Sequence, residues 1–189
     1  MEEAALRRVI ERLGPYTPVA FDLDGTLVRL DVNWGEAQAA LARITRRYGE
    51  TAENQTVWQM LREASGSEAA ALGAALERYE IDGGARARPL PLSDVVPHLT
   101  DKKVGVVTLN CRACAEEALR VAGLTRHVGT IVAREDTTRL KPDPEPLLLC
   151  IERLGGEPAG AVFVGDRERD RETAEAAGTT YLDVNELLG

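Results

Sequence analysis

Five short apolar runs recur along the chain, and each is typical of a buried β-strand. They cover residues 18–23, 103–109, 129–133, 161–165 and 179–184. The chain between one run and the next shows helical patterns, in which apolar residues recur at a period near 3.6. Near-continuous apolar strands that alternate with helices are typical of a parallel sheet covered on both faces. The pattern therefore predicts an α/β fold with a parallel sheet flanked by helices.

The segments between the later strands carry typical helix-end signals. Residues 112–122 form a helical pattern that is followed by Gly123. Residues 143–154 have prolines in their first turn and are followed by two glycines, and residues 170–177 are followed by Gly178. Proline near the start of a helix and glycine just past its end are both common. We expect these three segments to be helices that cover the sheet.

The interval 31–90 departs from this alternation of strand and helix. It holds three helical patterns and no convincing strand, and the patterns cover residues 34–48, 53–64 and 67–80. Glycine and proline then cluster in residues 83–93, which indicates a linker. An all-helical block inserted after the first strand would lie over the carboxyl end of the sheet. We therefore predict a core of residues 1–30 and 91–189 and a small helical cap of residues 31–90.

The formal net charge of the chain is −8. Nucleic acid is not an expected partner, because a basic surface supplies most of the affinity for it. No apolar run approaches the length of a membrane span, and the acidic, amphipathic N-terminus lacks the features of a signal peptide. We therefore expect a cytoplasmic protein without a membrane partner. Any small anionic substrate must be attracted locally, against an unfavourable overall field.

The three cysteines allow two readings. Cys111 and Cys114 form a CxxC pair, which occurs in redox sites and in half of a zinc site. No second CxxC is present, and the two histidines, His98 and His127, are not spaced as a matching ligand pair. Free cysteine packs as a small hydrophobic residue, so we interpret these thiols, together with Cys150, as helix or core residues.

Residues whose side chains could take part in catalysis or ligand binding lie directly after the predicted strands. In chain order they are Asp22, Asp24, Thr108, Asn110, Lys141, Asp166 and Asp170. In an open parallel sheet, functional groups gather at the carboxyl ends of the strands. One edge of the sheet would therefore present four carboxylates, a hydroxyl, an amide and an ammonium group.

Four carboxylates at one edge would repel each other unless a positive charge lay among them. A hard divalent cation with oxygen ligands meets this need, and Mg²⁺ typically takes a few carboxylates together with waters and phosphate oxygens. The hydroxyl, amide and ammonium groups suit the remaining oxygens of a phosphoryl group. The Gly25-Thr26 turn is predicted to offer free backbone N–H groups to the same anion.

Four motifs in this order resemble the haloacid dehalogenase superfamily, in particular its Mg²⁺-dependent phosphatase branch. They are FDLDGTLV at 21–28, VVTLN at 106–110, LKPDP at 140–144 and VGDRERD at 164–170. The resemblance spans the whole predicted core and implies a Rossmann-like sheet. The helices of residues 31–90 lie where that superfamily places a helical cap, between the first and second motifs.

The resemblance also implies a role for each carboxylate. Asp22 would be the nucleophile that forms an aspartyl-phosphate, and Asp24 would act first as general acid and then as general base. Asp166 would ligate Mg²⁺ together with Asp22 and the backbone carbonyl of Asp24. Asp170 would orient the metal shell.

The anion-binding groups follow from the same resemblance, with two departures. Thr108 and Lys141 would hold the phosphoryl oxygens, and Lys141 would also offset the charge on Asp22. Relatives often place the asparagine directly after the threonine, whereas here Leu109 intervenes before Asn110. The residue after the metal aspartate is often small in relatives, whereas here Arg167 begins a run of three charged residues.

The expected function is hydrolysis of a small phosphorylated metabolite, of the phosphoglycolate or sugar phosphate type, by a monomer or dimer. A phosphomutase of the β-phosphoglucomutase kind shares all four motifs and stays open, as does a non-catalytic phosphate-binding regulatory module. A receiver domain is excluded by the order of its residues, because its acidic pair comes first and its phosphorylated aspartate comes later. Here the DxD motif comes first and is followed by Thr108, Lys141 and the aspartates of residues 164–170. The pattern leaves the roles of Trp34, Trp58, Arg112 and Arg167 open.

Overall fold

A computed structural model of the chain describes residues 1–49 and 51–189; residue 50, inside the predicted cap, lies outside the described residues. The strands are β1 (Val19–Phe21), β2 (Val28–Arg29), β3 (Arg88–Pro89), β4 (Val104–Val107), β5 (Thr130–Val132), β6 (Val162–Gly165) and β7 (Thr180–Asp183). The α-helices are α1 (Glu3–Leu13), α2 (Trp34–Arg47), α3 (Val57–Glu63), α4 (Gly66–Ala85), α5 (Arg112–Val121), α6 (Glu145–Arg153), α7 (Glu168–Ala177) and α8 (Val184–Leu188).

Five of the strands form one parallel sheet in the order β5-β4-β1-β6-β7. Each predicted apolar run contains one of these strands, so the predicted α/β fold is confirmed. β1 is central, and its Ala20 pairs with Gly105 on one side and with Phe163 on the other. The carboxyl ends of β4 and β6 therefore flank the residues that follow β1.

The two faces of the sheet pack against different sets of helices. Val19 and Phe21 belong to an apolar cluster that includes Val9 of α1, whereas Ala20 belongs to a second cluster with Leu147 of α6. Alternate residues of a strand point to opposite faces, so a strand covered on both faces is buried at every residue, as β1 is. This explains why the strands appear in the sequence as continuous apolar runs.

The predicted core helices are confirmed as α5, α6 and α7. α7 begins at residue 168, two residues before the predicted start, because the Asp170 carboxylate accepts the backbone N–H of Arg167 at 3.2 Å and so caps the first turn. It ends at Gly178, whose φ of 71° lies in the left-handed region, where glycine carries no steric cost. None of the described helices combines the length and the apolar composition needed to cross a bilayer.

The helices α2, α3 and α4, here named the cap helices, pack around a small apolar cluster of their own. Leu41 of α2, Met60 of α3, and Leu72 and Leu76 of α4 are buried in it. β2 and β3, which lie just before and just after the cap helices, pair in antiparallel fashion. The expectation of no strand in residues 31–90 is wrong at β3, because a two-residue strand that contains proline shows no alternating pattern.

The predicted linker of residues 83–93 is wrong at its start. α4 continues through Gly83 and Gly84 to Ala85, and β3 and a 3₁₀ turn at Pro91–Asp94 follow. A Cβ atom on Gly83 would lie 2.3 Å from the Val32 side chain, and one on Gly84 would lie 2.8 Å from the backbone oxygen of Cys114 in α5. These glycines serve close packing of α4 against the core rather than chain flexibility.

We expect Gly84→Ala to lower the free energy of unfolding by about 1–3 kcal/mol, because the added methyl group would overlap the backbone of α5. Gly73→Ala is the matched control in the same helix, since a Cβ atom there meets nothing within 4 Å. That change should raise the free energy of unfolding by roughly 0.5–1 kcal/mol through helix propensity. Urea unfolding measures both values, and equal effects of the two substitutions would contradict the close-packing role.

Candidate active site

Lys141 joins two of the predicted carboxylates at the carboxyl edge of the sheet. Its ammonium nitrogen lies 2.6 Å from Asp22 Oδ1 and 2.7 Å from Asp170 Oδ1, and it also donates to the backbone oxygen of Val107 at 3.1 Å. All three side chains are buried. Burial alone would lower the pKa of Lys141, but Asp170 and Asp22 outweigh it and raise that pKa above its ordinary value. Lys141 is therefore held as a cation between two acidic groups.

A cluster of carboxylate oxygens lies beside this lysine. Asp22, Asp166 and Asp170 each offer an oxygen, and the three atoms lie within 4.8 Å of one another. Asp166 Oδ1 is buried and has no hydrogen-bond partner among the residues that the structure describes. A Cβ atom on Gly25 would lie 2.3 Å from Asp166 Oδ2, so glycine lets the β1 turn approach this cluster closely.

These oxygens fit a hard divalent cation such as Mg²⁺. Three carboxylates and one ammonium leave an excess of negative charge in a confined space, and a buried oxygen without a partner is costly unless something positive binds it. Burial raises the pKa of Asp22 to about 7, although Lys141 opposes this, and burial also raises the pKa of Asp166. A bound divalent cation would lower both values by stabilising the ionised forms.

Asp24 is only half-buried and is held by the turn that follows β1. Its Oδ1 accepts the backbone N–H of Leu30 at 2.9 Å. Burial raises the pKa of Asp24, and the hydrogen bond from Leu30 opposes this. The two carboxyl groups of the first motif therefore have different surroundings, because Asp22 faces Lys141 whereas Asp24 faces backbone and solvent.

The prediction of free N–H groups in the Gly25-Thr26 turn is wrong. Gly25 donates its N–H to Val28 at 2.8 Å, and Thr26 donates to Leu23 at 3.3 Å. Both donors are therefore used within the turn. Gly25 has a φ of 99° and supplies space beside Asp166, so it contributes to the site through its backbone conformation.

Thr108 and Asn110 lie together despite the intervening Leu109. The Thr108 hydroxyl donates to Asn110 Oδ1 at 3.0 Å and accepts the Asn110 backbone N–H at 3.1 Å. The Asn110 amide nitrogen in turn donates to Glu80 Oε1 at 3.0 Å. The inserted leucine therefore does not remove the asparagine from the neighbourhood of the threonine.

Glu80 is a buried carboxylate of cap helix α4 that sequence reasoning missed. It is 0% exposed and pairs with Arg134 Nη1 at 2.8 Å, and its Oε2 accepts the backbone N–H of Cys111 at 3.3 Å. Burial raises the pKa of Glu80, and the Arg134 guanidinium opposes this. The signal was present in the spacing, because Leu72, Leu76 and Glu80 follow each other at intervals of four and share one helix face. No comparable pattern marks Arg134.

A pocket of about 220 Å³ opens above these groups. Its walls are formed by Asp22, Asp24, Trp34, Trp58, Thr108, Leu109, Asn110, Arg167 and Arg169. Both tryptophans are half-buried and come from the cap helices, with their ring centroids 5.6 Å apart. The pocket thus lies between the cap helices and the carboxyl edge of the sheet. A larger cleft of about 950 Å³ between α4 and residues 134–143 includes none of the predicted site residues.

Arg167 and Arg112, whose roles the sequence leaves open, lie in different places in the structure. Arg167 lines the pocket and pairs with Asp166, its Nε lying 3.1 Å from Asp166 Oδ2. Arg112 lies outside the pocket lining, where it donates to the backbone oxygen of Ile131 at 3.0 Å and pairs with Asp136. Arg112 therefore supports the loop after β5.

The cysteines are core residues, as interpreted from the sequence. Cys111, Cys114 and Cys150 are all free and buried. Burial raises the pKa of Cys111 to about 12, and a thiol that stays protonated is a poor nucleophile and a poor metal ligand. The CxxC pair therefore belongs to the packing between α5 and α4.

Comparison with known proteins agrees with the four motifs. The family model described as haloacid dehalogenase-like hydrolase matches residues 19–184. The N-acetylmuramic acid 6-phosphate phosphatase of Pseudomonas putida is 32% identical over 182 residues, which cover 88% of this chain and 81% of that protein. Pyrophosphatase PpaX of Bacillus velezensis is 36% identical over 82 residues, which cover 43% of this chain and only 38% of that protein.

A solved structure shows the same fold. The crystal structure of a HAD-superfamily hydrolase of subfamily IA, variant 1, from Geobacter sulfurreducens aligns with a TM-score of 0.58 and 26% identity. The alignment covers 88% of each chain. With the family model spanning the sheet from β1 to β7, the chain belongs to the haloacid dehalogenase-like hydrolases.

Proposed function

We propose that the protein is a Mg²⁺-dependent phosphomonoester hydrolase that acts on a small phosphorylated metabolite through an aspartyl-phosphate on Asp22. The observation that carries this proposal is the position of Asp22. Its carboxylate pairs with Lys141 at 2.6 Å, belongs to the acidic cluster and lines the pocket. The names of the two relatives, a sugar phosphate phosphatase and a pyrophosphatase, support hydrolysis of a phosphorylated small molecule.

Asp22 is placed to attack phosphorus. Its carboxylate oxygen would form a bond to phosphorus while the bond from phosphorus to the leaving oxygen breaks. Lys141 favours the ionised form of Asp22, against the effect of burial, and would offset the charge that gathers on the phosphoryl oxygens. Asp22 lies at the end of the central strand β1, so Thr108 and Asn110 reach it from the end of the neighbouring strand β4, and Lys141 reaches it from the segment after β5.

Asp24 is placed to carry the proton. In the first step its carboxyl group would give a proton to the leaving oxygen, and in the second it would take a proton from the water that attacks the aspartyl-phosphate. The raised pKa of Asp24 favours the protonated form that the first step needs. The hydrogen bond from Leu30 fixes the orientation of the carboxyl group in both steps.

Mg²⁺ would be held by Asp22, Asp166 and the backbone carbonyl of Asp24, with Asp170 orienting its shell. The partnerless Asp166 Oδ1 and the oxygen-only donor set support this assignment. When bound, Mg²⁺ would neutralise charge on the phosphoryl group and on the attacking carboxylate.

Thr108, Asn110 and Lys141 would hold the phosphoryl oxygens that face away from the metal. Thr108 and Asn110 line the pocket beside Asp22. In the free protein the Thr108 hydroxyl donates to Asn110, and it would redirect this hydrogen to a phosphoryl oxygen. Asn110 is held by Glu80 of the cap helices, so the phosphate-binding segment is positioned from both sides of the pocket.

Asp22→Asn should reduce kcat for phosphate release by roughly 10³-fold or more, because an amide cannot attack phosphorus. The amide has nearly the same shape as the carboxylate, so circular dichroism should show an unchanged fold. Asp101→Asn, at an exposed position, is the control and should leave kcat unaltered. The nucleophile assignment is wrong if Asp22→Asn retains more than about a tenth of the activity.

Chelation of divalent cations should abolish phosphate release, and added Mg²⁺ should restore it. Mg²⁺ should also raise the melting temperature of the native protein, because a ligand that binds only the folded state stabilises it. This stabilisation should disappear in Asp166→Asn, which removes one predicted ligand. Thermal unfolding with and without Mg²⁺ measures the effect without reference to activity, and an equal shift in both proteins would contradict the predicted metal site.

Glu80→Gln should lower the free energy of unfolding by about 3 kcal/mol, since it leaves Arg134 buried without its carboxylate. It should also weaken inhibition by inorganic phosphate, because a glutamine has one acceptor oxygen where Glu80 has two for the donors of Asn110, Arg134 and Cys111, so the Asn110 amide is held less firmly. Glu77→Gln, at an exposed position on the same helix, is the control and should change stability by less than about 0.5 kcal/mol. A loss of stability with an unchanged inhibition constant for phosphate would limit Glu80 to a structural role.

A further inference from the structure

The wall of the pocket above Asp22 combines two tryptophans with an arginine. Trp58 and Trp34 come from the cap helices, and Arg169 comes from the first turn of α7. The Arg169 guanidinium carbon lies 5.9 Å from the centroid of the Trp58 ring, within the range of a cation–π contact. The stacking holds the arginine in place at the boundary between the cap helices and the sheet.

Arg169 differs from its neighbours Arg167 and Arg171 in its ion pairing. Arg167 pairs with Asp166 at 3.1 Å, and Arg171 pairs with Glu168 at 3.3 Å. Within residues 1–49 and 51–189, Arg169 makes no ion pair, and its Nε is buried without a hydrogen-bond partner. A buried donor without a partner is costly. Arg169 lines the pocket, so an anion bound there would pair with its otherwise uncompensated charge.

Arg169 and Asp22 line the same pocket, so an anion bound by Arg169 would belong to the same substrate molecule as the reacting phosphoryl group. Arg169 and Asp22 line one cavity of about 220 Å³, which is below the usual size of a drug-sized ligand pocket. A phosphoryl group at Asp22 therefore leaves room for only a short leaving group between it and Arg169.

We propose that Arg169, stacked on Trp58, binds a second anionic group of the substrate. The preferred substrates are then small phosphomonoesters whose leaving group carries a carboxylate or a further phosphoryl group. A planar guanidinium suits both, because it can donate two parallel hydrogen bonds to either group. This inference rests on the proposed phosphatase function and names its substrate class.

Two matched substrate pairs test the proposal in the presence of Mg²⁺. Phosphoglycolate is compared with 2-hydroxyethyl phosphate, which replaces the carboxylate by a neutral hydroxymethyl group. Ethane-1,2-diyl bisphosphate is compared with 2-hydroxyethyl phosphate, so that an alkyl ester bond breaks in both. The wild type should show a higher kcat/KM for the anionic member of at least one pair. Arg169→Gln should reduce that preference about tenfold to hundredfold, as expected when a charge-assisted hydrogen bond is lost, and Arg169→Lys should retain part of it.

Arg171→Gln is the matched control. Arg171 also stacks on an aromatic ring, that of Tyr181 at 4.8 Å, but it does not line the pocket. Its substitution should leave the substrate preference unchanged. A response confined to the first pair identifies the second group as a carboxylate, and a response confined to the second pair identifies it as a phosphoryl group. The proposal is overturned if the wild type shows no preference or if Arg169→Gln keeps it in both pairs.

A binding measurement separates failure of this proposal from failure of the phosphatase assignment. Calorimetry compares phosphonoacetate, which carries a phosphonate and a carboxylate, with methylphosphonate on wild type and Arg169→Gln. If the wild type releases no phosphate even from p-nitrophenyl phosphate, the phosphatase function is wrong. A tighter affinity for phosphonoacetate that is lost in Arg169→Gln would still support the second anion site. Equal affinities of the wild type for the two phosphonates would refute it.

Discussion

The pairing of Lys141 with Asp22 and Asp170 is the interaction on which the site depends. Two like charges about 4 Å apart in a partly buried setting repel by about 4 kcal/mol, and this site holds three carboxylates within 4.8 Å of one another. The ammonium of Lys141, at 2.6 and 2.7 Å from two of them, offsets part of that repulsion. The sheet order makes the pairing available, because Asp170 follows β6 on one side of β1 and Lys141 comes from the segment after β5 on the other side, where it crosses the end of β4 and donates to Val107. The excess of negative charge that remains is what favours a divalent cation.

The cap helices do more than cover the site, because they also hold residues of the site in position. α4 approaches α5 closely because Gly84 has no side chain, and one turn earlier in α4 Glu80 enters the core. There Glu80 binds Asn110 and Arg134. A buried ion pair of this kind is weak evidence for stability, since desolvation offsets much of the attraction. Its effect here is geometric, because it ties the segment that carries Thr108 to cap helix α4.

The features that could be predicted from the sequence are those with a local signal. Buried parallel strands leave continuous apolar runs, and the groups after β1, β4, β5 and β6 follow from where those strands end. The missed features depend on long-range contacts. Gly83 and Gly84 suggest a linker because local propensity does not reveal Val32 opposite the first or the backbone of α5 opposite the second. Glu80 shares a helix face with Leu72 and Leu76, which is a local signal, but no local pattern marks its partner Arg134, which lies 54 residues later. The N–H groups of Gly25 and Thr26 are predicted to be free because the sequence does not show which carbonyl oxygens of the turn accept their hydrogen bonds.

A chain with a net charge of −8 must still draw an anionic substrate to an acidic edge. At physiological ionic strength, exposed charges are screened within about 8 Å, so the overall charge acts weakly inside a pocket. The local charges decide the outcome instead. Lys141 lies at the base of the site beside Asp22, and Arg167 and Arg169 lie in the pocket lining. Asp166 partly neutralises Arg167. Of the two arginines in the pocket lining, Arg169 is therefore the one whose positive charge is less compensated. An anionic group on the leaving side of the substrate would therefore orient the molecule with its phosphoryl group toward Asp22.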